Sequence, residues 1–343
     1  MEFLINMAVK YLTSKFNPLF IENYIRDKRK WKNNNLDNID ICNIKIAAVQ
    51  EKIKILRSFE EYIDRMYDFV YGAAGLGAQL VAFPEENGML LLGMAPFVDK
   101  LLDGSDGGDK NRDIDLKQLA VKLTPFIKSG FETVFGNLSK KFGVYIMAGT
   151  AIIYDKGKIY NRAYLFGPKG NIEGIQDKLH LMKVEKTLGL SEGKDLNVIK
   201  TKIGNIAFPV CMDASYFETF KVAKNKGAEI IIIPAANMEE YNNYLALRGI
   251  WPRVQESSIY GVKSALTGNI GKFKFTGKAG IYAPFGITED KSGIICETKS
   301  YSGDEIAISS VNLEKLKGHY NPYIDDTNQK MYNKYYPLIY NKK

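Results

Sequence analysis

Apolar residues in this chain fall into short β-branched runs, separated by stretches where they recur every three or four positions. That mixture predicts strands alternating with amphipathic helices. Ile44, Ile46 and Ala47-Ala48-Val49 read as a buried strand, and Phe59, Ile63, Met66 and Phe69-Val70 mark one face of a helix over 58–72. Further strands are expected over 79–83, 144–151, 159–165, 172–176, 203–210, 229–234, 264–267, 279–283, 293–297 and 305–311. Helices are expected over 115–142, with a break at Pro125, and over 216–225, ending at Gly227. The glycines of 72–77 precede a strand instead of leading a strand into a helix, so they read as a helix C-terminal turn and not a phosphate loop. The mixture of βα units and hairpins argues for a layered α/β fold and against a dinucleotide-binding sheet.

The ends read differently. Over residues 1–41, Leu4, Met7, Ala8, Tyr11 and Leu12 repeat at helical spacing, Pro18 interrupts, and a second polar helix runs to about Lys32. Asn33-Asn34-Asn35 then reads as a linker. This N-terminal helical extension has two readings: packing on the main domain or a dimer mate, which is preferred, or a membrane-surface contact. Residues 42–316 form the main domain and 317–343 a C-terminal tail. Residues 88–111 read as a loop-rich insertion bordering the site; the acids of 103–109 lack the spacing of a calcium loop.

Composition narrows the class. With 343 residues, 45% apolar and 25% charged, the chain has ample core. The net charge of +8 is spread out, no nucleic-acid motif accompanies it, and a solvated surface explains it. Three separated cysteines, Cys42, Cys211 and Cys296, argue against a disulfide framework and for a reducing cytoplasm. No apolar run is long enough for a membrane helix, and the N-terminus lacks the features of a signal peptide.

Candidate chemistry lies at strand ends. Glu85 follows Pro84 beyond an apolar strand, where partial burial would tune a carboxylate toward a general base. Lys178 closes another strand. Cys211 follows a third, on a turn into a helix, where exposed backbone N–H groups and the helix end favour thiolate. Only two histidines exist, His180 and His319, so the usual imidazole base is nearly absent. Singly, each residue has an ordinary structural reading as well.

Ala82-Phe83-Pro84-Glu85, Lys178-Leu179-His180-Leu181 and Gly204-Asn205-Ile206-Ala207-Phe208-Pro209-Val210-Cys211-Met212-Asp213 resemble, in order, the three signature blocks of the nitrilase superfamily of carbon–nitrogen hydrolases. The resemblance runs from Ile44 to about Val311. It implies a four-layer α-β-β-α sandwich and a homodimer or higher homo-oligomer. It also implies a general base at Glu85, an intermediate-stabilising Lys178 and a nucleophilic Cys211. Glu185 matches the second, substrate-positioning glutamate, with Glu192 a weaker candidate; the Met212 N–H would serve the oxyanion, and Asn237 lies in a segment expected to shape the pocket. Departures include Gln176-Asp177 in place of Tyr-Arg, and Pro209 in the strand before the nucleophile. The expected activity is hydrolysis of a small non-peptide linear amide, with no metal or organic cofactor. Nitrile or N-carbamoyl hydrolysis, acyl transfer to an amine, and a non-catalytic scaffold are the alternatives.

Overall fold

The computed structural model describes residues 2–32, 36, 39–96, 116–271 and 273–340. The Asn33-Asn34-Asn35 linker, the acidic 103–109 stretch with most of the expected insertion, and residues 341–343 lie outside them.

Strand alternation builds the layers. The helices that matter most are α1 (Glu2–Lys15), α2 (Pro18–Asp27), α3 (Phe59–Gly75) and α4 (Leu116–Phe142). The strands are β1 (Ile44–Lys52), β2 (Leu80–Ala82), β3 (Tyr145–Asp155), β4 (Lys158–Phe166), β5 (Ile172–Asp177), β6 (Ile199–Thr201) and β7 (Gly204–Ala207). Then follow β8 (Ile230–Ala235), β9 (Tyr260–Ile270), β10 (Phe273–Phe275), β11 (Gly280–Tyr282), β12 (Ile294–Glu297) and β13 (Glu305–Val311).

Successive strand residues face opposite ways. In β1, Ala47 and Val49 join a cluster with Phe59, Ile63 and Phe135 from α3 and α4, whereas Ile46 and Ala48 join a second cluster with Ile206, Ile230 and Val262. In β8, Ile230 and Ile232 share that second cluster, while Ile231 and Ile233 join a third with Phe220 and Val254 from later helices. Three apolar interiors between helices, strands, strands and helices make the four-layer α-β-β-α sandwich that the sequence led us to expect.

The strand order is β5-β4-β3-β2-β1-β9-β8-β7-β6. β1 pairs with β13 along its length but meets β9 only at Gln50–Lys52, so the two sheets join at one end. Strands β1, β2, β3, β7, β8 and β9 include the parallel pairs, and Glu85, Lys178 and Cys211 sit beyond the C-terminal ends of β2, β5 and β7.

Several expectations need correction. α4 is continuous through Pro125. A mid-helix proline costs about 3 kcal/mol, but Phe126, Ile127, Phe131, Val134, Phe135 and Leu138 are all buried on this helix. At roughly 1.5–3 kcal/mol for each large apolar side chain, their packing outweighs the loss. Pro209 lies beyond β7, which ends at Ala207, and therefore removes no ladder bond. The start of the expected insertion is a 3-10 helix over Asn87–Met94. The tail carries helices at Pro322–Asp325 and Gln329–Tyr340.

The N-terminal helices pack on α4, where Leu12, Ile21 and Ile25 are buried in the first cluster. Asn17 caps α2 by accepting from Phe20 N–H, and the Lys141 ammonium donates to the carbonyls of Ile25, Arg26 and Lys28 at the other end. No helix among the described residues is long and apolar enough to cross a membrane.

Candidate active site

β2 ends at Ala82, and the next residues turn Glu85 inward. Ser264 Oγ on β9 donates to the Phe83 carbonyl at 2.7 Å. Gly149, in an irregular step of β3 with φ +77°, lets that strand approach the turn: a Cβ there would lie 1.9 Å from the Pro84 carbonyl oxygen. The neighbouring Thr150 hydroxyl accepts from Glu86 N–H at 2.9 Å. The turn bearing Glu85 is thereby held by two neighbouring strands, β3 and β9, and Glu85 is only 2% exposed.

Lys178 follows β5 directly and is equally buried. Its Nζ lies 2.9 Å from Glu85 Oε1 and 2.9 Å from Glu185 Oε1. Asn161 on β4 donates to Glu85 Oε1 at 2.8 Å, and Ala236 N–H donates to Glu85 Oε2 at 3.1 Å. Burial alone would depress the Lys178 ammonium, but Glu85, Cys211 and Glu185 outweigh it and raise its pKa. The lysine is a fixed cation between two carboxylates.

Cys211 opens a 3-10 helix, Cys211–Ser215, with a left-handed φ of +44°. Its half-buried thiol lies 3.8 Å from Asn237 Oδ1. Burial, then the Glu85 carboxylate, push the thiol pKa up; Lys178 and the Ala236 N–H oppose them without prevailing. Burial and the Glu85 charge thus work against the thiolate that the turn was expected to favour. The Met212 N–H, in the first turn of this helix, has no intrahelical acceptor.

Sequence reasoning missed Asp213. Fully buried, it accepts from Val210 N–H (2.8 Å), His180 N–H (2.7 Å) and Leu179 N–H (3.1 Å), and its Oδ1 lies 2.9 Å from His180 Nδ1. It therefore clasps the segment leaving Lys178 to the turn carrying Cys211. The signal was present in the Cys-Met-Asp block, but its backbone partners are remote in sequence. His180 stacks on Tyr216, with ring centroids 4.0 Å apart, and so serves this clasp.

Other expected residues sort clearly. Glu185 is brought to Lys178, and Asn237 to Cys211. Glu192 instead pairs with Lys186 at the exposed surface, 2.9 Å away, and is not part of the cluster. The residues at the Gln176-Asp177 departure have structural partners: Gln176 bonds Asp195 O and Asn197 N, and Asp177 receives a two-pronged contact from Arg162 at 2.6 and 3.0 Å. Glu86, with φ +65°, places a third carboxyl nearby; burial and the Glu85 charge raise its pKa to about 7. Cys211, Met212, Asn237, Tyr241 and Lys263 line a cavity of about 190 Å³. Among the described residues, no group of three or more His, Cys, Asp or Glu side chains is placed to hold a metal ion.

Comparison with known proteins settles the family. The Carbon-nitrogen hydrolase family model matches residues 45–292. The chain belongs to the carbon–nitrogen hydrolases, within the nitrilase superfamily. This hydrolase is 30% identical over 280 residues to a probable hydrolase of Bacillus subtilis, an alignment covering 80% of the chain but only 51% of that relative. It is 26% identical over 286 residues to a nitrilase of Pyrococcus abyssi, covering 83% of the chain and 95% of the relative. An omega-amidase of Danio rerio is 26% identical over 205 residues, 57% of the chain and 64% of the relative. A solved amidase of Nesterenkonia AN1, from the nitrilase superfamily, shares the fold with a TM-score of 0.62 at 15% identity, covering 87% of this hydrolase and 98% of the amidase.

Proposed function

We propose that this carbon–nitrogen hydrolase cleaves a small linear amide through a thioester on Cys211, with Glu85 as base and Lys178 as electrostatic partner. The observation carrying the proposal is the Lys178 ammonium, held at 2.9 Å from both Glu85 and Glu185, in a site whose cavity is lined by the Cys211 thiol.

Each group then has a step. As the sulfur attacks the amide carbon, its proton passes to Glu85, which relieves the charge opposition that keeps the thiol neutral. The carbonyl oxygen gains charge beside Lys178 and the Met212 N–H, donors fixed before reaction and largely screened from water. Collapse breaks the C–N bond, and the Glu85 proton leaves with the amine. Water then attacks the thioester carbon, giving its proton to Glu85. Breakage of the S–C bond releases the acid, and Glu85 returns the proton to sulfur. Glu185 touches Lys178 and donates no proton in this sequence; it positions the ammonium.

Intact-mass spectrometry during turnover of a short-amide panel tests the reading. An acyl adduct on the wild type that disappears in Cys211→Ala, together with ammonia release, is expected. Turnover surviving in Cys211→Ala would reject the nucleophile, and an adduct on Cys42 or Cys296 would relocate it.

A further inference from the structure

Asn161 sits on β4 with its side chain on the same face as Ala163 and Leu165, which line the interior between the two sheets. It is 1% exposed. Its carbonyl accepts from Lys178 N–H at 2.9 Å, one step past the Arg162–Asp177 pair, so the β4–β5 ladder sets the two residues opposite each other. Asn161 Nδ2 then reaches Glu85 Oε1 at 2.8 Å and Glu185 Oε1 at 3.4 Å. Lys178 Nζ reaches the same two oxygens at 2.9 Å each. The four atoms close a ring in which two donors bridge two acceptors.

Ionised carboxylates only accept, so the amide presents its nitrogen to them and both of its N–H bonds are spent on the ring. Its Oδ1 is buried and has no hydrogen-bond partner among the described residues. An unmet buried carbonyl oxygen costs the fold free energy, so stability alone does not account for an amide here. The account lies in what the N–H bonds do to Glu85. A carboxylate oxygen has about two acceptor sites, and Lys178 and Asn161 fill those of Oε1. Among the described residues Oε2 receives Ala236 N–H alone, at 3.1 Å, and that N–H also acts on the Cys211 thiol. The open acceptor site of Glu85 is therefore on the sulfur side.

We infer that Asn161 is a positioning residue: by saturating Oε1 together with Lys178, it makes Oε2 the atom of Glu85 that takes the thiol proton and returns it. The inference rests on the thioester reading above and assigns an atom within it. The proton leaves Sγ for Oε2 as the S–C bond forms, and the donors on Oε1 stay in place while Glu85 changes charge. Without the Nδ2 donor the charged form of Glu85 loses a hydrogen bond, and its carboxyl holds a proton to higher pH.

The test measures kcat, KM and the pH profile of kcat/KM for an amide that the wild type turns over, in Asn161→Leu and Asn161→Asp, with thermal melting reporting folding. One charge-assisted hydrogen bond lost predicts an acid limb moved up by about 1 pH unit in Asn161→Leu. The limb should move further in Asn161→Asp, which adds a like charge. kcat should fall by about 10- to 100-fold with KM within about threefold, because Asn161 acts through Glu85 and not on the substrate. A limb that stays put in a folded variant overturns the inference. So does a rise in KM at constant kcat, which would place the amide against substrate. Iodoacetamide alkylation of Cys211, followed by intact mass against pH, reads the same carboxyl without turnover; the inflection that disappears in Glu85→Gln belongs to Glu85. If the wild type hydrolyses no amide, the thioester reading falls, while an alkylation inflection raised in both variants still supports Asn161. An inflection absent from the wild type, or unmoved in the variants, sinks the role of Asn161 even beside normal turnover.

Discussion

Asp213→Asn changes one atom in the clasp between the Lys178 and Cys211 segments. The two carboxylate oxygens divide the work: Oδ2 receives Val210 N–H, Oδ1 receives His180 N–H, and Leu179 N–H reaches both. Whichever position the amide nitrogen takes, it faces at least one backbone N–H and leaves that donor unpaired. A buried unsatisfied donor costs about 1–3 kcal/mol, and the surviving bonds lose the carboxylate charge that roughly doubles each. We expect a stability loss of about 3 kcal/mol, measured by urea unfolding. The two segments should also separate slightly, and a displacement near 1 Å in a preorganised site costs about 100-fold. Ammonia release should show that loss mainly in kcat, with the acyl-forming step slowed. If Asp213→Asn keeps stability within about 0.5 kcal/mol and activity within roughly threefold, the clasp does not hold the site together.

Further expectations follow the site outward. Glu85→Gln removes a charge that opposes thiolate, so Cys211 should be alkylated with a lower apparent pKa while turnover falls by about 100-fold or more; a thiol pKa unchanged or raised in the variant contradicts the coupling. Gly149→Ala adds a Cβ 1.9 Å from the Pro84 carbonyl at a left-handed φ, and should lower both thermal stability and kcat, whereas an unaltered melting curve would refute the close approach. Glu86 holds its proton in the fold up to about pH 7 against an ordinary 4.5. Its raised native pKa gives stability fully present below 4.5 and lost as pH rises through 7, at most about 3 kcal/mol. Urea unfolding at pH 5 and 8.5 should show that slope in the wild type and a flatter one in Glu86→Gln; identical slopes would reject it.

The strand ends bearing Glu85, Lys178 and Cys211 were readable because β-branched runs stop abruptly beside Pro84, Asp177 and Pro209. The same local signal misled at Pro125, where tertiary packing on α4 overrides a breaker. It was also silent about Asp213, whose meaning depends on N–H groups 33 and 34 residues away. Lys263 was hidden for a related reason: a lysine between Val262 and Ser264 reads as the edge of a strand, and only the opposing helices reveal that it is enclosed. Gln329–Tyr340 reads as a polar tail because its tyrosines and lysines lack an apolar stripe, and none of its residues is buried. Strand placement is encoded locally; the clasp, the cation and the continuous helix are encoded in what lies opposite.

The helices that precede β1 carry a practical warning about where this protein can be cut. Family similarity begins at residue 45, yet Leu12, Ile21 and Ile25 are as deeply enclosed as the strands themselves, and Lys141 grips the end of the second helix. Trimming the chain to residues 45–292 would take Phe16 from Phe59 and Trp31 from Phe142, and would bare an apolar flank that the first two helices now cover.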